Sequence, residues 1–381
     1  MSMTVSAAVV REVGLPYPYA QSQPLCIEPV TVDGPGPDQV RVRMASAGLC
    51  HSDLNAMSGK RAKPIPAVAG HEGAGVVVAV GEDVTDLAVG DHVVMVFVAA
   101  CGKCRACVAG RPALCATSWA TRADGTLADG TKRFVDANGE RLAHWSGISA
   151  FAEEIVVARR SVVRIDPDVP LLDAAVFGCA VVTGVGAVLN TARVRPGDVV
   201  AVTGLGGVGL SAVMGAVLAG AARIIALDTV PAKLELAREL GATDTVDVRD
   251  PDAVERVLDL TDGGVDFSFE MAGVLPATRT AYRLVRRGGA LVLASLPDPS
   301  AALEVPVAAF VSDEKRILGS YMGSAVPARD IPRYVELFRH GRLPVDRLRS
   351  QTLPLSRINE GFDRLARGEA VRDVIDFGLG G

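Results

Sequence analysis

Seven cysteines in a chain of 381 residues mark positions where metal or redox chemistry could take place. Four stand in one short segment with the spacing C-x2-C-x2-C-x7-C, at Cys101, Cys104, Cys107 and Cys115. Four thiolates at this spacing fill the tetrahedral shell of one zinc ion and leave no position for water, which predicts a structural zinc site. The alternatives are disulfides, a redox relay, or an iron-sulfur cluster, since ferredoxins also use C-x2-C-x2-C. The lack of an export signal and of a second cysteine run favours zinc.

A second set of metal-ligating residue types is dispersed along the chain. Cys50 lies in GLCHSD, His71 in GHEGAG and Cys179 in FGCAVVTG. Two thiolates and one imidazole would leave the fourth position of a zinc ion open for water or substrate, as a catalytic zinc requires. Each of these residues alone is more typical of an ordinary buried side chain, so the set is a hypothesis at this point.

A glycine-rich hexapeptide, GLGGVG, follows an apolar run at 199–203 and opens a small-residue helical pattern at 210–220. This context is typical of a dinucleotide-binding turn. There the glycines allow a tight bend, a close approach of the backbone to a pyrophosphate at the helix N-terminus, and close helix–strand packing. The residues expected at the cofactor are Gly204, Leu205, Gly206, Gly207, Val208 and Gly209.

Asp228 stands nineteen residues beyond Gly209, at the end of the next apolar run. A carboxylate at this place accepts a hydrogen bond from the adenosine ribose and repels the additional phosphate of NADP, so the predicted cofactor is NAD. The alternative is that the glycines form only a structural turn and that Asp228 caps a strand.

Two different patterns of secondary structure are predicted along the chain, and they must position these residues. Before residue 180, short apolar runs separated by Gly and Pro are typical of a barrel-like β domain, with strands at 39–44, 75–80, 92–97 and 154–157. Residues 117–149 are polar, which predicts a long loop region around one or two hairpins. From residue 198, strands (199–203, 223–228, 245–248, 265–270, 290–295) alternate with helices (210–220, 231–240, 252–260, 276–287), which predicts a doubly wound parallel sheet. The tail carries two amphipathic helices, 329–340 and 356–366, and a strand at 374–377, expected to pack on the first domain.

Composition and charge narrow the possible partners. Aliphatic residues and alanine raise the hydrophobic share to 49%, and the net charge of -5 gives no electrostatic reason to expect nucleic acid or an anionic membrane. No apolar run is long enough to span a bilayer, and the first residues do not have the pattern of a secretory signal. We therefore expect a cytoplasmic enzyme with a small-molecule substrate and no nucleic-acid or membrane partner.

Six motifs are distributed over nearly the whole chain. They are GLCHSD, the GHE-x2-G-x5-G signature from Gly70, the four-cysteine segment, GLGGVG, GGVDFSFE from Gly263 and INEGFD from Ile358. Together they resemble the zinc-dependent medium-chain alcohol dehydrogenases, of class I and class III type. The resemblance implies a GroES-like β-barrel catalytic domain built from both chain ends, 1–180 and 323–381, and a Rossmann NAD-binding domain at 181–322. The structural zinc lobe would span about 98–116.

The resemblance also assigns the dispersed metal ligands and the reaction. It implies that Cys50, His71 and Cys179 hold a catalytic zinc, so that each subunit binds two zinc ions. The metal would act as a Lewis acid on the oxygen of a primary alcohol or its aldehyde, with hydride passing to or from NAD. The alcohol would be aromatic or of medium chain length.

Several neighbouring residues receive roles from the same resemblance. Ser52 would touch the alcohol oxygen and start a proton relay, and a helix cap is its alternative role. Asp53 would orient His71. Glu72 would assist ligand exchange at the metal, or pair with Arg372.

The end of the proton relay departs from the family pattern. Horse-liver-like members place a histidine where this chain has Asn55, which cannot titrate. His51 faces the cofactor pyrophosphate in the family and is an alternative base, and water is another route for the proton.

The remaining assignments concern the cofactor, the alcohol pocket and assembly. The resemblance places Lys233 beside Asp228 at the ribose, Arg372 at the pyrophosphate and Thr183 near the nicotinamide, although such charges are commonly solvated. Aromatic walls of the alcohol pocket are expected from Phe97 and Trp119. The family's dimers pair Rossmann sheets edge to edge, here between Arg316 and Met322, so we expect a homodimer, with a tetramer also compatible.

Two other functions remain open from the sequence. One is a thiol-dependent formaldehyde dehydrogenase that acts on glutathione or mycothiol adducts, because GLCHSD and GHEGAG also resemble class III members. Those members carry acidic residues after the Ser-Gly that follows the first zinc ligand, whereas Ser58-Gly59 is followed here by Lys60, Arg61 and Lys63. This basic segment argues against glutathione as the thiol cosubstrate and is compatible with mycothiol. The other is a catalytically silent protein that binds NAD and zinc.

Overall fold

The computed structural model describes residues 2–380, which divide into two compact units. The first unit contains Met1–Cys179, Val326–Arg339 and Arg349–Gly381, and the second contains Ala180–Ala325 and His340–Leu348. The sequence predicted the whole of 323–381 in the first domain. The segment His340–Leu348 instead belongs to the second unit, where its 3₁₀ turn Val345–Leu348 contacts the helix Gly207–Ala219.

Eighteen strands are formed within the described residues. They are β1 (Met3–Val10), β2 (Cys26–Val32), β3 (Gln39–Gly48), β4 (Ala67–Val68), β5 (Gly73–Val80), β6 (His92–Met95), β7 (Phe134–Val135), β8 (Arg141–His144), β9 (Glu154–Ala158), β10 (Val162–Ile165), β11 (Val199–Thr203), β12 (Arg223–Asp228), β13 (Asp244–Asp247), β14 (Val265–Glu270), β15 (Val285–Leu293), β16 (Arg316–Gly319), β17 (Arg349–Leu353) and β18 (Arg372–Asp376).

Thirteen α-helices connect them in the same part of the chain. They are α1 (Tyr19–Ser22), α2 (His51–Met57), α3 (Arg105–Val108), α4 (Ala116–Ala123), α5 (Leu171–Ala174), α6 (Ala180–Gly186), α7 (Gly207–Ala219), α8 (Pro231–Glu239), α9 (Ala253–Leu260), α10 (Leu275–Arg283), α11 (Val307–Ser312), α12 (Pro327–Arg339) and α13 (Ile358–Ala366).

The first unit is built from two sheets. The strands β1, β2, β7, β8 and β4 close a barrel, and a seven-stranded sheet has the order β10-β6-β5-β3-β18-β17 with β9 also paired to β3. The C-terminal strand β18 pairs antiparallel with β3, so both chain ends contribute to one sheet. The core contains large fully buried side chains, among them Phe134, Trp145, Phe151 and Phe362. This architecture is the GroES-like domain that the sequence predicted.

The second unit contains a six-stranded parallel sheet with the order β13-β12-β11-β14-β15-β16. Its central strands are rich in Val, Ile, Leu and Ala, as expected for parallel strands that helices cover on both faces. The order of the strands reverses between β11 and β14, and ligands bind such sheets at the carboxyl ends of the strands beside the reversal. The predicted doubly wound Rossmann sheet is therefore confirmed.

One predicted helix differs from the observed element. The sequence pattern extended a helix over 276–287 and began the next strand at residue 290, whereas α10 ends at Arg283 and β15 begins at Val285. Leu284 and Val285 are buried, and Val285 pairs with Val265 ahead of a bulge in the ladder. Tertiary pairing therefore ends the helix before its sequence pattern does.

Within the described residues, no single helix is long and apolar enough to cross a membrane. One bent pair, Leu171–Gly178 with Ala180–Ala192, matches a span by length and composition alone.

Candidate active site

Four metal-ligating side chains meet inside the first unit. Cys50 directly precedes α2, His71 and Glu72 directly precede β5, and Cys179 follows a 3₁₀ turn at Ala175–Gly178. One ligand atom from each lies within 4.8 Å of the others, and all four residues are buried. The His71 Nε2 atom lies 3.4 Å from the Cys179 sulfur. The three residues predicted to hold the catalytic zinc are thus brought together, with Glu72 beside them.

The imidazole of His71 is held by a buried carboxylate. Asp53 Oδ1 lies 2.8 Å from His71 Nδ1, which leaves Nε2 directed at the sulfur atoms. The same oxygen accepts a hydrogen bond of 2.7 Å from the indole Nε1–H of Trp145. Burial lowers the pKa of His71, but the charge and hydrogen bond of Asp53 outweigh it and raise the pKa well above its usual value. A carboxylate that fixes the second ring nitrogen of a ligand histidine is the usual support of a zinc site.

The sulfur atoms and Glu72 share this buried space with one cation. The Cys179 thiol and Arg372 lower the pKa of Cys50, while the pKa of Cys179 is raised by Cys50 and by burial. Burial raises the pKa of Glu72 to about 7 against the opposing charge of Arg372, whose Nε lies 3.5 Å from Glu72 Oε1. Neither carboxylate oxygen of Glu72 has a hydrogen-bond partner among the described residues. An unsatisfied carboxylate beside two thiols and an imidazole fits a divalent cation, which would neutralise the group.

The second metal-binding group is the four-cysteine segment. The sulfur atoms of Cys101, Cys104, Cys107 and Cys115 lie within 4.8 Å of one another, and none of these cysteines forms a disulfide. Four sulfurs at about 2.3 Å from one zinc ion are about 3.8 Å apart, so this cluster has the required size.

The pKa values of these thiols also favour binding of a cation. Hydrogen bonds from the backbone N–H groups of Lys103 and Cys104 lower the pKa of Cys101 to about 6, which favours its thiolate. Burial and a hydrogen bond with Cys104 raise the pKa of Cys107 to about 12, which opposes a thiolate at this position. A zinc ion removes this conflict and allows all four thiols to ionise.

The glycine turn of the second unit joins β11 to α7. Gly204 has φ of +93°, and a Cβ there would lie 2.6 Å from the backbone nitrogen of Ala272. A Cβ on Gly209 would overlap the carbonyl oxygen of Gly204, whereas a Cβ on Gly206 would meet no atom within 4 Å. Gly206 thus leaves open space at the start of the 13-residue helix α7, where a pyrophosphate would meet the backbone amides of the helix N-terminus.

Asp228 lies at the carboxyl end of β12, next to the glycine turn. Its side chain accepts hydrogen bonds from the backbone N–H groups of Leu205, Thr229 and Val230. Burial lowers the pKa of Lys233, and the charge of Asp228 partly opposes that shift. The structure thus places the two predicted ribose-binding residues together, and it places Thr183 on α6, buried.

The residues predicted on the alcohol side lie in the first unit with varied exposure. His51 and Ser52 are exposed at the start of α2, and Ser52 Oγ lies 3.5 Å from the Cys50 sulfur. Phe97 packs edge-on against the His71 ring with centroids 5.5 Å apart. Trp119 on α4 is 63% exposed.

Trp145 is a residue of this site that the sequence reasoning missed. It lies 92 positions from Asp53 along the chain, and no spacing or motif connects the two. Their contact depends on the folding of the barrel, so only the three-dimensional structure could reveal it.

Comparisons with known proteins agree with this geometry. A family model described as "Alcohol dehydrogenase GroES-like domain" matches residues 36–170, and one described as "Zinc-binding dehydrogenase" matches residues 207–340. An S-(hydroxymethyl)glutathione dehydrogenase from Synechocystis sp. is 40% identical over 98% of this chain and 100% of its own length. An alcohol dehydrogenase class-3 from Drosophila melanogaster is 38% identical over 94% of this chain and 96% of its own.

Solved structures give the same result. An alcohol dehydrogenase zinc-binding domain protein from Burkholderia ambifaria superposes with a TM-score of 0.93 at 37% identity, covering 99% of both chains. A benzyl alcohol dehydrogenase from Acinetobacter calcoaceticus superposes with a TM-score of 0.89 at 31% identity, covering 98% of this chain and 99% of the other. The matched domains and the two cysteine-containing metal sites therefore establish that the chain belongs to the zinc-dependent medium-chain alcohol dehydrogenases, NAD-dependent enzymes that interconvert alcohols and aldehydes.

Proposed function

We propose that this enzyme oxidises primary alcohols, aromatic or of medium chain length, to aldehydes and catalyses the reverse reduction. The observation that carries the proposal is the buried set of Cys50, His71 and Cys179, with His71 held by Asp53 at 2.8 Å. Zinc bound by this set supplies a Lewis acid for the alcohol oxygen, and NAD supplies the hydride acceptor. The benzyl alcohol dehydrogenase among the structural relatives supports an aromatic alcohol as substrate.

The protein's own residues have distinct tasks in this proposal. Ser52, exposed beside Cys50, accepts the proton of the alcohol and passes it towards solvent. Asn55 cannot take that proton further, so the exposed His51 or water completes the transfer. Glu72 and Arg372 balance the charge beside the metal ligands, and Arg372 also donates a 2.7 Å hydrogen bond to the carbonyl of Leu49.

In the cofactor site, the proposal assigns the glycine turn and Asp228 to the adenosine half of NAD. Lys233 assists Asp228, Arg372 contacts the pyrophosphate, and Thr183 lies near the nicotinamide. Phe97 and Trp119 form aromatic walls for the alcohol. The catalytic domain is proposed as 1–180 with 323–381, apart from His340–Leu348, which belongs to the second unit, and the cofactor domain as 181–322.

A thiol-dependent formaldehyde dehydrogenase is the second candidate function. The full-length similarity to S-(hydroxymethyl)glutathione dehydrogenases from Synechocystis sp. and Saccharomyces cerevisiae favours it. The basic side chains of Lys60, Arg61 and Lys63 would repel the amine of glutathione. If this candidate is right, a thiol other than glutathione is the favoured cosubstrate.

One screen tests both functions. The purified protein is loaded with two zinc ions per chain and assayed with a panel of alcohols, and with formaldehyde in the presence and absence of glutathione or mycothiol, using NAD and NADP. NADH production from primary alcohols without a thiol supports the first function, and turnover of formaldehyde only with a thiol supports the second. Binding of NAD without any turnover would mean a catalytically silent protein.

We also propose a cytoplasmic homodimer that pairs the second unit's sheets between Arg316 and Met322. The strand β16 is at the edge of the six-stranded sheet, and apolar side chains near it are exposed: Ile317 by 38%, Val311 by 69% and Val307 by 76%. An exposed strand edge next to apolar side chains is typical of a pairing surface. A mass measurement by light scattering distinguishes the dimer from a monomer or tetramer.

A further inference from the structure

Glu270 is a buried carboxylate at the carboxyl end of β14. Its side chain is 1% exposed, and its register partner on β11 is Thr203, the residue just before the glycine turn. On the other side of β11, Thr203 pairs with Leu227, and Asp228 follows. Two carboxylates therefore flank the strand that leads into the turn. The cofactor role of Asp228 leaves Glu270 without a task.

The Glu270 carboxylate accepts three hydrogen bonds. Its Oε1 accepts the backbone N–H groups of Ala272 at 2.8 Å and Gly273 at 2.7 Å, and its Oε2 accepts the hydroxyl of Ser295. Two N–H donors occupy the first oxygen, and the hydroxyl supplies its own proton to the second, so the group needs no proton of its own. Hydrogen bonds of this kind favour the ionised carboxylate.

The negative charge of Glu270 has no cationic partner. Among the described residues, no Lys, Arg or His side chain forms an ion pair with it, and no charged side chain contributes to the shift of its pKa. Burial raises that pKa, while Ser295 and the backbone N–H groups of Gly273 and Ala272 oppose the shift. A buried charge that only dipoles balance is screened less than a surface charge, so its field acts over a longer distance.

The place of Glu270 in the sheet relates it to one half of the cofactor. A doubly wound sheet binds a dinucleotide across its strand reversal, with one nucleotide half on each side. Asp228 is at the adenosine half, beside β12, so the nicotinamide half falls on the side of β14. The loop that Glu270 holds also packs against the glycine turn, since a Cβ on Gly204 would lie 2.6 Å from the Ala272 nitrogen. Because the carboxylate is buried, it acts on the nicotinamide through its field and not through contact.

We propose that the charge of Glu270 sets the preference of this enzyme for oxidised NAD⁺ over NADH. The nicotinamide ring of NAD⁺ is a cation, which the carboxylate stabilises, whereas the ring of NADH is neutral. Both forms share the adenosine, ribose and pyrophosphate groups, so the glycine turn and Asp228 bind them alike. The ratio of the two dissociation constants therefore isolates the effect of the charge. This inference requires NAD binding alone and is independent of the alcohol that the enzyme oxidises.

E270Q removes the charge and keeps the shape of the side chain. The amide oxygen of glutamine can accept the N–H groups of Ala272 and Gly273, and its NH₂ group can donate to Ser295. Calorimetry on the zinc-loaded protein without alcohol gives the Kd of NAD⁺ and of NADH. E270Q should weaken NAD⁺ binding about tenfold relative to NADH, the order expected for unit charges about 10 Å apart at an effective dielectric constant of about 20.

The opposite result is also defined. If Glu270 only braces the loop after β14, E270Q will weaken both forms by the same factor or neither, and the proposal is overturned. S295A serves as a matched control, because it removes one hydrogen bond of the loop and keeps the charge. S295A should leave the ratio of the two dissociation constants unchanged. D259N removes an exposed carboxylate from α9 and should also leave the ratio unchanged, since solvent screens that charge.

A second variant tests the charge if E270Q does not fold. Ser295 is half-buried, so S295K can place an ammonium beside the carboxylate while Glu270 stays in its strand. Pairing with this cation should cancel most of the field and shift the ratio in the same direction as E270Q. The wild-type ratio in a folded S295K protein would refute the proposal, as would a shift in D259N as large as that in S295K.

Discussion

Replacing Asp53 with asparagine tests how the protein holds its catalytic metal ligand. The side chain is 2% exposed, and its Oδ1 accepts hydrogen bonds from His71 at 2.8 Å and from Trp145 at 2.7 Å. The amide oxygen of D53N can keep both bonds while the negative charge is lost. The variant therefore separates the effect of charge from the effect of orientation.

The expected magnitude follows from the two kinds of hydrogen bond. A bond to a charged group contributes about 1.5–3 kcal/mol and a neutral bond about 0.5–1.5 kcal/mol, so D53N should lose about 1 kcal/mol or slightly more at His71. That loss corresponds to zinc affinity about tenfold weaker at the catalytic site, the lower end of the effect usual for such supporting residues. D53A also leaves the donors of His71 and Trp145 unsatisfied, so its affinity should be about 100-fold weaker.

Competition with a chromophoric chelator measures both variants. The four-cysteine site serves as an internal reference, because its sulfurs do not contact Asp53 and its zinc should be retained. D124N makes the same chemical change at an exposed aspartate near α4 and should match the unmodified protein. Wild-type zinc affinity in D53N, or equal affinities in D53N and D53A, would refute this reasoning.

Three further predictions concern the structural zinc, the glycine turn and a buried histidine. C104A should lower the melting temperature and lose zinc from the lobe, whereas C50A should stay folded, lose zinc from the catalytic site and lose turnover; an active, stable C104A protein would contradict the structural role of that site. G209A should destabilise the protein by about 1–3 kcal/mol and weaken NAD binding, because its Cβ overlaps the carbonyl of Gly204; unfolding curves and NADH titration measure both, and a variant that matches wild type in both would exclude the packing role. Burial lowers the pKa of His144 to about 3, so the stability it contributes is complete above its unfolded pKa of about 6.5 and decreases as the pH falls towards 3. As the pH falls from 8 to 5, His144 should lower the free energy of unfolding by about 2 kcal/mol. Urea unfolding of the zinc-saturated H144Q variant should therefore show a free energy that depends less on pH than that of the unmodified protein. The same pH dependence in both proteins would refute the assignment.

Features encoded by neighbouring residues could be predicted from the sequence. The four cysteines of the zinc lobe lie within 15 positions, and the segment from Gly204 to Gly209 carries its conformation in its own glycines. The strands β11, β12 and β14 also match their predicted bounds, because each has a local strand pattern. The zinc lobe, the glycine turn and these strands are each determined by residues that lie close together in the sequence.

Features that depend on long-range packing required the structure. The end of α10 at Arg283 was mispredicted because the pairing of Val285 with Val265 overrides the local helical pattern. The contact of Trp145 with Asp53 has no signature in sequence spacing.

The catalytic metal ligands lie between these two cases. The sequence by itself determined their chemical types and their motifs, because a thiol or an imidazole has its metal affinity wherever it stands. Only the tertiary structure decided that Cys50, His71 and Cys179 converge and that Glu72 joins them. Bringing together residues more than one hundred positions apart requires the pairing of β3 with β5 and β18 and the burial of the core beneath them, and these arise from the whole chain.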